Sequence, residues 1–257
     1  MKLHTLLYDF VDVIGKAPNM ERILLTPNDD GVAFRASSEI ANGQGRYVVL
    51  GKTNDNVDYI DQELGIQSLS YIGKVINAPG FTRLTTQAYI DEIKWSILNK
   101  NLRIENDQGE CIKLGLFFNE GIDLHMTQNK FSVKPTINYE AHFRPNGADL
   151  DALKYWMKIS DEYLSDDFLM TPSIENGKLY LKVGMCDEMS FKMKLADRVS
   201  GKILVKQFYE GDVFHSIASM RSEVKDLIAS FSDQGACRIR ALTHCAEYNF
   251  ILPARKL

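Results

Sequence analysis

The chain has 257 residues, 45% hydrophobic and 25% charged, with 30 Lys and Arg against 34 Asp and Glu for a formal charge of −4. That length can bury one large core or two ordinary ones, and the composition is that of a soluble globular protein. The acidic balance argues against coating nucleic acid by net attraction, no apolar run approaches the ~18 residues of a membrane span, and no secretory signal is visible at the N-terminus.

In chain order, Leu3, Leu6, Leu7, Phe10, Val11 and Ile14 recur at spacings of three and four, which predicts a helix over 3–16 ended by Ala17-Pro18-Asn19. Strands are expected at 22–26 and 32–36 around the turn Asn28-Asp29-Asp30-Gly31, then at 46–50 and 65–69. A second helix over 68–78 has the stripe Leu69, Ile72, Val75 and Ile76, closed by Pro79-Gly80. Residues 81–100 have no counterpart later and read as an insertion, within which Tyr89, Ile90, Ile93, Ile97 and Leu98 suggest an extra helix. Strands follow at 102–105, 111–118 and 122–127. Residues 129–136, with Pro135 and no clear period, are the linker candidate.

The second half opens with a strand at 137–143. Asp149 is placed as an N-cap for a helix over 150–164, whose apolar stripe is Leu150, Leu153, Trp156, Met157 and Leu164. Strands are expected at 168–172, 178–185, 190–195 and 202–208. A fourth helix over 213–221 turns Val213, Phe214, Ile217 and Met220 inward, and strands at 226–231, 236–242 and 247–252 finish the chain. The two halves thus have the same order of elements. They also share a phrase: Asp107-Gln108-Gly109 leads into Cys111 and Ile112, and Asp233-Gln234-Gly235 into Cys237, Arg238 and Ile239. This predicts a duplicated α+β domain, two helices on an antiparallel sheet in each copy, with domains 1–128 and 137–257 joined by 129–136.

The helices carry cations off their apolar stripes. Lys154 and Lys158 lie one turn apart on one face, Lys74 is off the second stripe, Lys16 ends the first helix, and Arg221 ends the fourth with Lys225 just beyond. Solvated helices commonly carry lysines, and C-terminal cations suit the helix dipole, so the helices alone do not decide a role. Other signals are weaker. Gly51-Lys52-Thr53 lacks the glycine five residues earlier, where Arg46 stands, and a turn, Asn54-Asp55-Asn56, follows instead of a helix. His244-Cys245, placed in a strand, would point to opposite faces and could not act as a base and nucleophile together. Asp161-Glu162 and Asp166-Asp167 read as a solvated helix end, although such acidic pairs can also hold a divalent ion. Cys111, Cys186, Cys237 and Cys245 form no CxxC pair, and no metal-ligand spacing appears. Buried free thiols in a reduced, cytoplasmic compartment fit best. No cofactor and no catalytic set are indicated.

The segment Val213-Phe214-His215-Ser216-Ile217-Ala218, through Asp233-Gln234-Gly235-Ala236, to Ala246-Glu247-Tyr248-Asn249-Phe250-Ile251-Leu252-Pro253-Ala254 runs helix, strand, tight turn, strand, strand and a Pro-containing tail. With the tandem architecture it resembles the DNA polymerase sliding clamps, in particular the two-domain clamps of tailed phages, archaea and eukaryotes, the phage type resting on this C-terminal segment. The chain departs from that pattern in its 81–100 insertion, a missing or very short first strand and a short linker.

The resemblance implies a non-enzymatic processivity factor: a head-to-tail homotrimer around duplex DNA, helices lining the hole. It would serve a DNA polymerase and a clamp loader, in the host cytoplasm if viral. Lys16, Lys74, Lys154, Lys158, Arg221 and Lys225 would then meet phosphates without base contacts, as an acidic ring with a basic bore. Subunit edges would pair through Ile122, Leu124 and Met126 of one protomer and Phe191, Met193 and Leu195 of the next. A partner peptide would dock on Phe131 and Val133 with Leu252, Pro253 and Ala254; equally, Phe131 could simply anchor its own linker. A monomeric electrostatic tether of the same fold should show a stronger basic face, a duplicated β-rich virion protein should lack clustered helix cations, and an enzyme would need a cleft of convergent polar groups.

Overall fold

The computed structural model describes residues 1–20, 22–38, 47–76, 94–98, 101–106, 108–118, 137–163, 169–183, 190–222 and 224–255. It divides into two compact units, the first made of Met1–Glu39, Leu50–Ser132 and Cys245–Glu247, the second of Ile40–Val49, Val133–His244 and Tyr248–Leu257.

The first unit begins with α1 (Leu3–Val13), within which only Asp12 is exposed. Leu6, Leu7 and Phe10 are fully buried, each worth roughly 1.5–3 kcal/mol of apolar burial, and the Phe10 ring meets Phe34 edge-on at 4.9 Å. The helix stops three residues before Lys16. Ile14 and Gly15 both donate their N–H groups back to the Phe10 carbonyl, at 2.8 and 2.9 Å, which uses up the last turn. Then come β1 (Ile23–Asn28), β2 (Gly31–Ser37), β3 (Val48–Thr53), β4 (Leu64–Ile66), α2 (Leu69–Ile76), β5 (Lys94–Leu98), β6 (Asn101–Glu105) and β7 (Cys111–Phe118). The strand order is β3-β2-β1-β4-β7-β6-β5.

The second unit holds β8 (Ala141–Phe143), α3 (Gly147–Tyr163), β9 (Leu169–Glu175), β10 (Lys178–Val183), β11 (Phe191–Ala196), β12 (Val199–Gly201) and β13 (Tyr209–Glu210). It continues with α4 (Gly211–Ala218), a 3₁₀ turn (Ser219–Ser222), β14 (Asp226–Ser232), β15 (Ala236–Leu242) and β16 (Ala246–Pro253). One sheet runs β12-β8-β14-β15-β16 and the other β11-β10-β9-β13. Phe231 centres the core, with ring centroids of Phe143 at 5.7 Å, Tyr209 at 5.3 Å and Phe214 at 6.2 Å.

The duplication is visible in this wiring. The order β3-β2-β1-β4 recurs as β11-β10-β9-β13. In each case a short fourth strand pairs antiparallel with the first, Leu24 opposite Gly65 and Met170 opposite Tyr209, and leads into a helix. The repeated phrase is the same turn twice. Gly109 donates to the Asn106 carbonyl and Gly235 to that of Ser232, both at 3.1 Å, with φ of +81° and +85° that favour glycine.

Several expectations change. Residues 94–98 are not helical: β5 pairs with β6, Trp95 opposite Ile104, and the Trp95 ring lies beside those of His4 and Tyr8 on α1, at 6.2 and 6.3 Å. Tyr89, Ile90 and Ile93 lie outside the described residues. Residues 202–208 are not a strand, because the Leu204 and Val205 N–H groups go to the Asp233 carboxylate at 2.9 and 3.0 Å instead of to a neighbouring strand. The cap of α3 is Asn146, three residues before Asp149: its side-chain oxygen accepts from the Asp149 N–H at 2.9 Å. His244 and Cys245 form the bend between β15 and β16, His244 exposed and Cys245 buried. The strand expected at 137–143 is regular only over Ala141–Phe143, and the fourth helix gives way to the 3₁₀ turn before Arg221.

Gly51-Lys52-Thr53 is part of β3 and structural. A Cβ on Gly51 would sit 2.1 Å from the Phe34 ring and 2.4 Å from the Glu247 carbonyl oxygen. Thr53 Oγ1 accepts from the Val32 N–H at 2.8 Å and donates to the Asp55 carbonyl at 2.7 Å, and Lys52 pairs with Asp30 at 3.2 Å.

Candidate nucleic-acid interface

The second unit's helix pair carries the densest set of expected cations. α3 is anchored by Leu150 and Leu153, 3% and 0% exposed, while Lys154 and Lys158 project to solvent. Four residues on a helix are about 6 Å of rise, close to the ~7 Å of helix axis over which one DNA strand advances by two phosphates. α4 packs beside α3 and buries Val213, Phe214, Ile217 and Ala218.

Between them sits His215, a residue the sequence reading did not single out. Burial, then the Lys154 cation, lower its pKa below the usual 6.5, opposed by a bond to the Leu150 backbone and by Asp151. Its Nε2 lies 3.1 Å from Ser219 Oγ one turn on. The i, i+4 pair His215/Ser219 was the available signal, but its meeting with Lys154 is a tertiary fact. Lys154, Lys158 and His215 therefore lie on one helix pair, with exposed Asp151 and Asp212 also on these helices.

Trp156 does not join the buried stripe. It is 39% exposed, stacked on Phe191 of β11 at 4.9 Å, with Tyr155 edge-on to it at 5.8 Å. A helix covering one face of a sheet has a buried stripe narrower than its apolar residues suggest.

The other expected cations are dispersed. Lys74 is exposed in the last turn of α2, which packs against α1. Lys16 is exposed in the turn after α1. Arg221 lies in the 3₁₀ turn, its side chain outside what is described. Lys225 is exposed where the chain enters β14, its N–H bonded to the Leu242 carbonyl at 2.7 Å.

Of the expected seam, Ile122, Leu124 and Met126 lie outside the described residues. β11 is the terminal strand of its sheet, but the Met193 and Leu195 side chains are buried in the second unit's core, at 9% and 0% exposure. Only half-buried Phe191 offers apolar surface there, while Lys192 and Lys194 alternate outward, paired with Glu175 and, at 2.9 Å, Asp197. Of the peptide pocket, Phe131 and Val133 lie outside the described residues. Leu252 is buried, Ala254 half-buried and Pro253 exposed. The tail is fixed: the Ala254 N–H donates to Gly235 at 2.9 Å, the Arg255 N–H to Phe208 at 2.8 Å, and the Arg255 guanidinium pairs with Glu210 at 2.9 Å.

The same architecture is found in solved structures. A chain of the PCNA2–PCNA3 complex from Sulfolobus tokodaii matches at a TM-score of 0.63 and 12% identity, covering 97% of this chain and 96% of that one. PCNA from Thermococcus kodakaraensis matches at 0.62 and 13%, covering 98% and 96%. This chain has the sliding-clamp fold. A. fulgidus PCNA with the C-terminal region of FEN-1 bound matches at 0.63 and 15% identity over 98% and 96%. At these identities the clamp likeness lies in the fold, which repeats helix pair and sheets in each half. No protein-family model matches the sequence, and no curated protein matches it.

Proposed function

We propose that this chain is a ring-forming sliding clamp, a non-enzymatic processivity factor that encircles duplex DNA and tethers a DNA polymerase to it. The observation that carries the reading is the conjunction of a clamp fold over nearly the whole chain with outward cations on the helix pair, Lys154 and Lys158 above all. Cations one helical turn apart on an exposed helix face suit phosphate contacts in a ring that slides. Such contacts position without specifying sequence, so they permit sliding, while closure of the ring supplies the retention that weak contacts cannot. His215 adds a weaker donor beside Lys154, and Lys16, Lys74, Arg221 and Lys225 complete the proposed bore.

The proposed assembly is a head-to-tail homotrimer, a heterologous contact whose rotation closes, built from domains 1–128 and 137–257 joined by 129–136. The outer edge of β11, at Phe191, would meet Ile122, Leu124 and Met126 of a second copy. Partners would dock at Phe131, Val133, Leu252, Pro253 and Ala254. The bound FEN-1 region in the A. fulgidus structure supports peptide recruitment as the mode, with a polymerase and a clamp loader as users. The C-terminal segment favours a tailed-phage clamp working in the host cytoplasm. No described helix is long and apolar enough to cross a membrane. Light scattering over a concentration series tests the assembly. A species of three times 29.2 kDa is expected, and a monomer at every concentration would defeat the ring.

A further inference from the structure

The irregular 202–208 segment presents the most exposed large apolar side chain of the described residues. Leu204 is 80% exposed and Val205 46%. Single exposed apolar residues are ordinary, but these two are adjacent and held out on a fixed loop. One carboxylate oxygen of Asp233 accepts both their N–H groups at 2.9 and 3.0 Å, Gln207 Nε2 donates to the Asp233 carbonyl at 3.0 Å, and the Asp233 N–H donates to Glu140 at 2.9 Å. Asp233 belongs to the same turn whose Gly235 holds the C-terminal tail through the Ala254 N–H. The apolar pair is flanked by exposed Lys202 and Lys206, the latter with Nζ 5.0 Å from the Phe208 ring centre. The loop therefore combines rigidity, a two-residue apolar step and a cation on either side.

We infer that this loop is a docking element for an acidic segment of a partner protein, Leu204 and Val205 taking its apolar side chains and Lys202 and Lys206 its carboxylates. Charge complementarity selects this occupant: a basic segment would meet two like charges, and a nucleic acid would gain nothing from the exposed leucine. A loop already held in place loses little conformational freedom on binding. The inference rests on the clamp reading for the kind of partner, a replication protein, but it does not depend on the tail pocket or on the ring.

The test uses the full chain and a fluorescein-labelled synthetic peptide alternating Asp or Glu with Leu and Phe, followed by anisotropy. A control peptide carries Lys at every acidic position. The acidic peptide should bind wild type, weaken as salt rises, and bind at least tenfold more weakly to L204S/V205S and to K202E/K206E. The Lys peptide should bind K202E/K206E better than wild type. All four positions are exposed on a loop, so unchanged thermal melting confirms that the variants fold. Equal binding by wild type and L204S/V205S, or no binding of the acidic peptide to wild type, overturns the inference. Loss in P253S with none in L204S/V205S would move docking to the tail and overturn it too. Light scattering of the same samples reads the ring separately, so failure of docking and failure of the clamp reading are distinguishable.

Discussion

Replacing Lys154 and Lys158 together by alanine removes the two cations that the clamp reading places nearest the phosphates. Both are exposed on α3, and alanine favours the helix, so stability should stay within about 0.5 kcal/mol of wild type. The effect on DNA is electrostatic. Each phosphate neutralised contributes about 0.9 to the slope of log affinity against log salt. With one protomer's pair engaged on two phosphates, the slope should fall by about 1.8. Between about 50 and 200 mM salt, a fourfold change, that is a difference of about twelvefold in salt sensitivity. The assay is anisotropy of a labelled linear duplex across that range, with duplexes of unrelated sequence giving the same slope because no base is read. An unchanged slope in the double variant would refute the assignment of α3 to the DNA-facing surface. A slope change confined to one DNA sequence would refute the sliding contact.

Other consequences follow from the same geometry. The lowered pKa of His215 means that the folded state holds fewer protons than the unfolded one, so this contribution to stability is fully present above pH 6.5 and is lost as pH falls through the folded pKa. K154A should raise the His215 pKa toward 6.5 in an NMR titration of the imidazole, and an unmoved value would show that Lys154 is not its neighbour in solution. Gly201 has φ +94°, and a Cβ there would lie 1.6 Å from the Glu140 carbonyl oxygen; G201A should cost about 2–5 kcal/mol in urea unfolding, and a cost below about 1 kcal/mol would contradict the β12–β8 register. The Cys237 thiol is fully buried and pushed far above its usual pKa, whereas Cys111 is exposed. Iodoacetamide with peptide mass spectrometry should label Cys111 in the native protein and Cys237 only after unfolding.

Local chemistry was legible in the sequence where it acts over a few residues. The stripes of Leu3 to Phe10 and of Leu69, Ile72 and Val75 are helices because their spacing buries one face, and both Gln-Gly turns are set by a glycine at positive φ. What was not legible depended on distant partners. Residues 202–208, with Ile203, Leu204, Val205 and Phe208, read as a strand, but Asp233, far along the chain, takes two of their N–H groups. Ile97 and Leu98 fit a helix until Trp95 is seen covering His4 and Tyr8. Of the candidate site, the outward projection of Lys154 and Lys158 follows from helix periodicity alone. The position of His215 beside them, the exposure of Trp156 and the inward turn of Met193 and Leu195 depend on how helix and sheet edges meet.

The central claim is topological: the protein is held on DNA by enclosure. Linear duplex with cohesive ends, incubated with the chain and then ligated shut, traps any ring already threaded. Washing at about 1 M salt, where the screening length is about 3 Å, strips electrostatic contacts. An enclosed protein should stay on the closed circle through this wash and leave once the circle is cut. Loss from closed and cut DNA at the same rate would contradict enclosure, whatever the affinity at low salt.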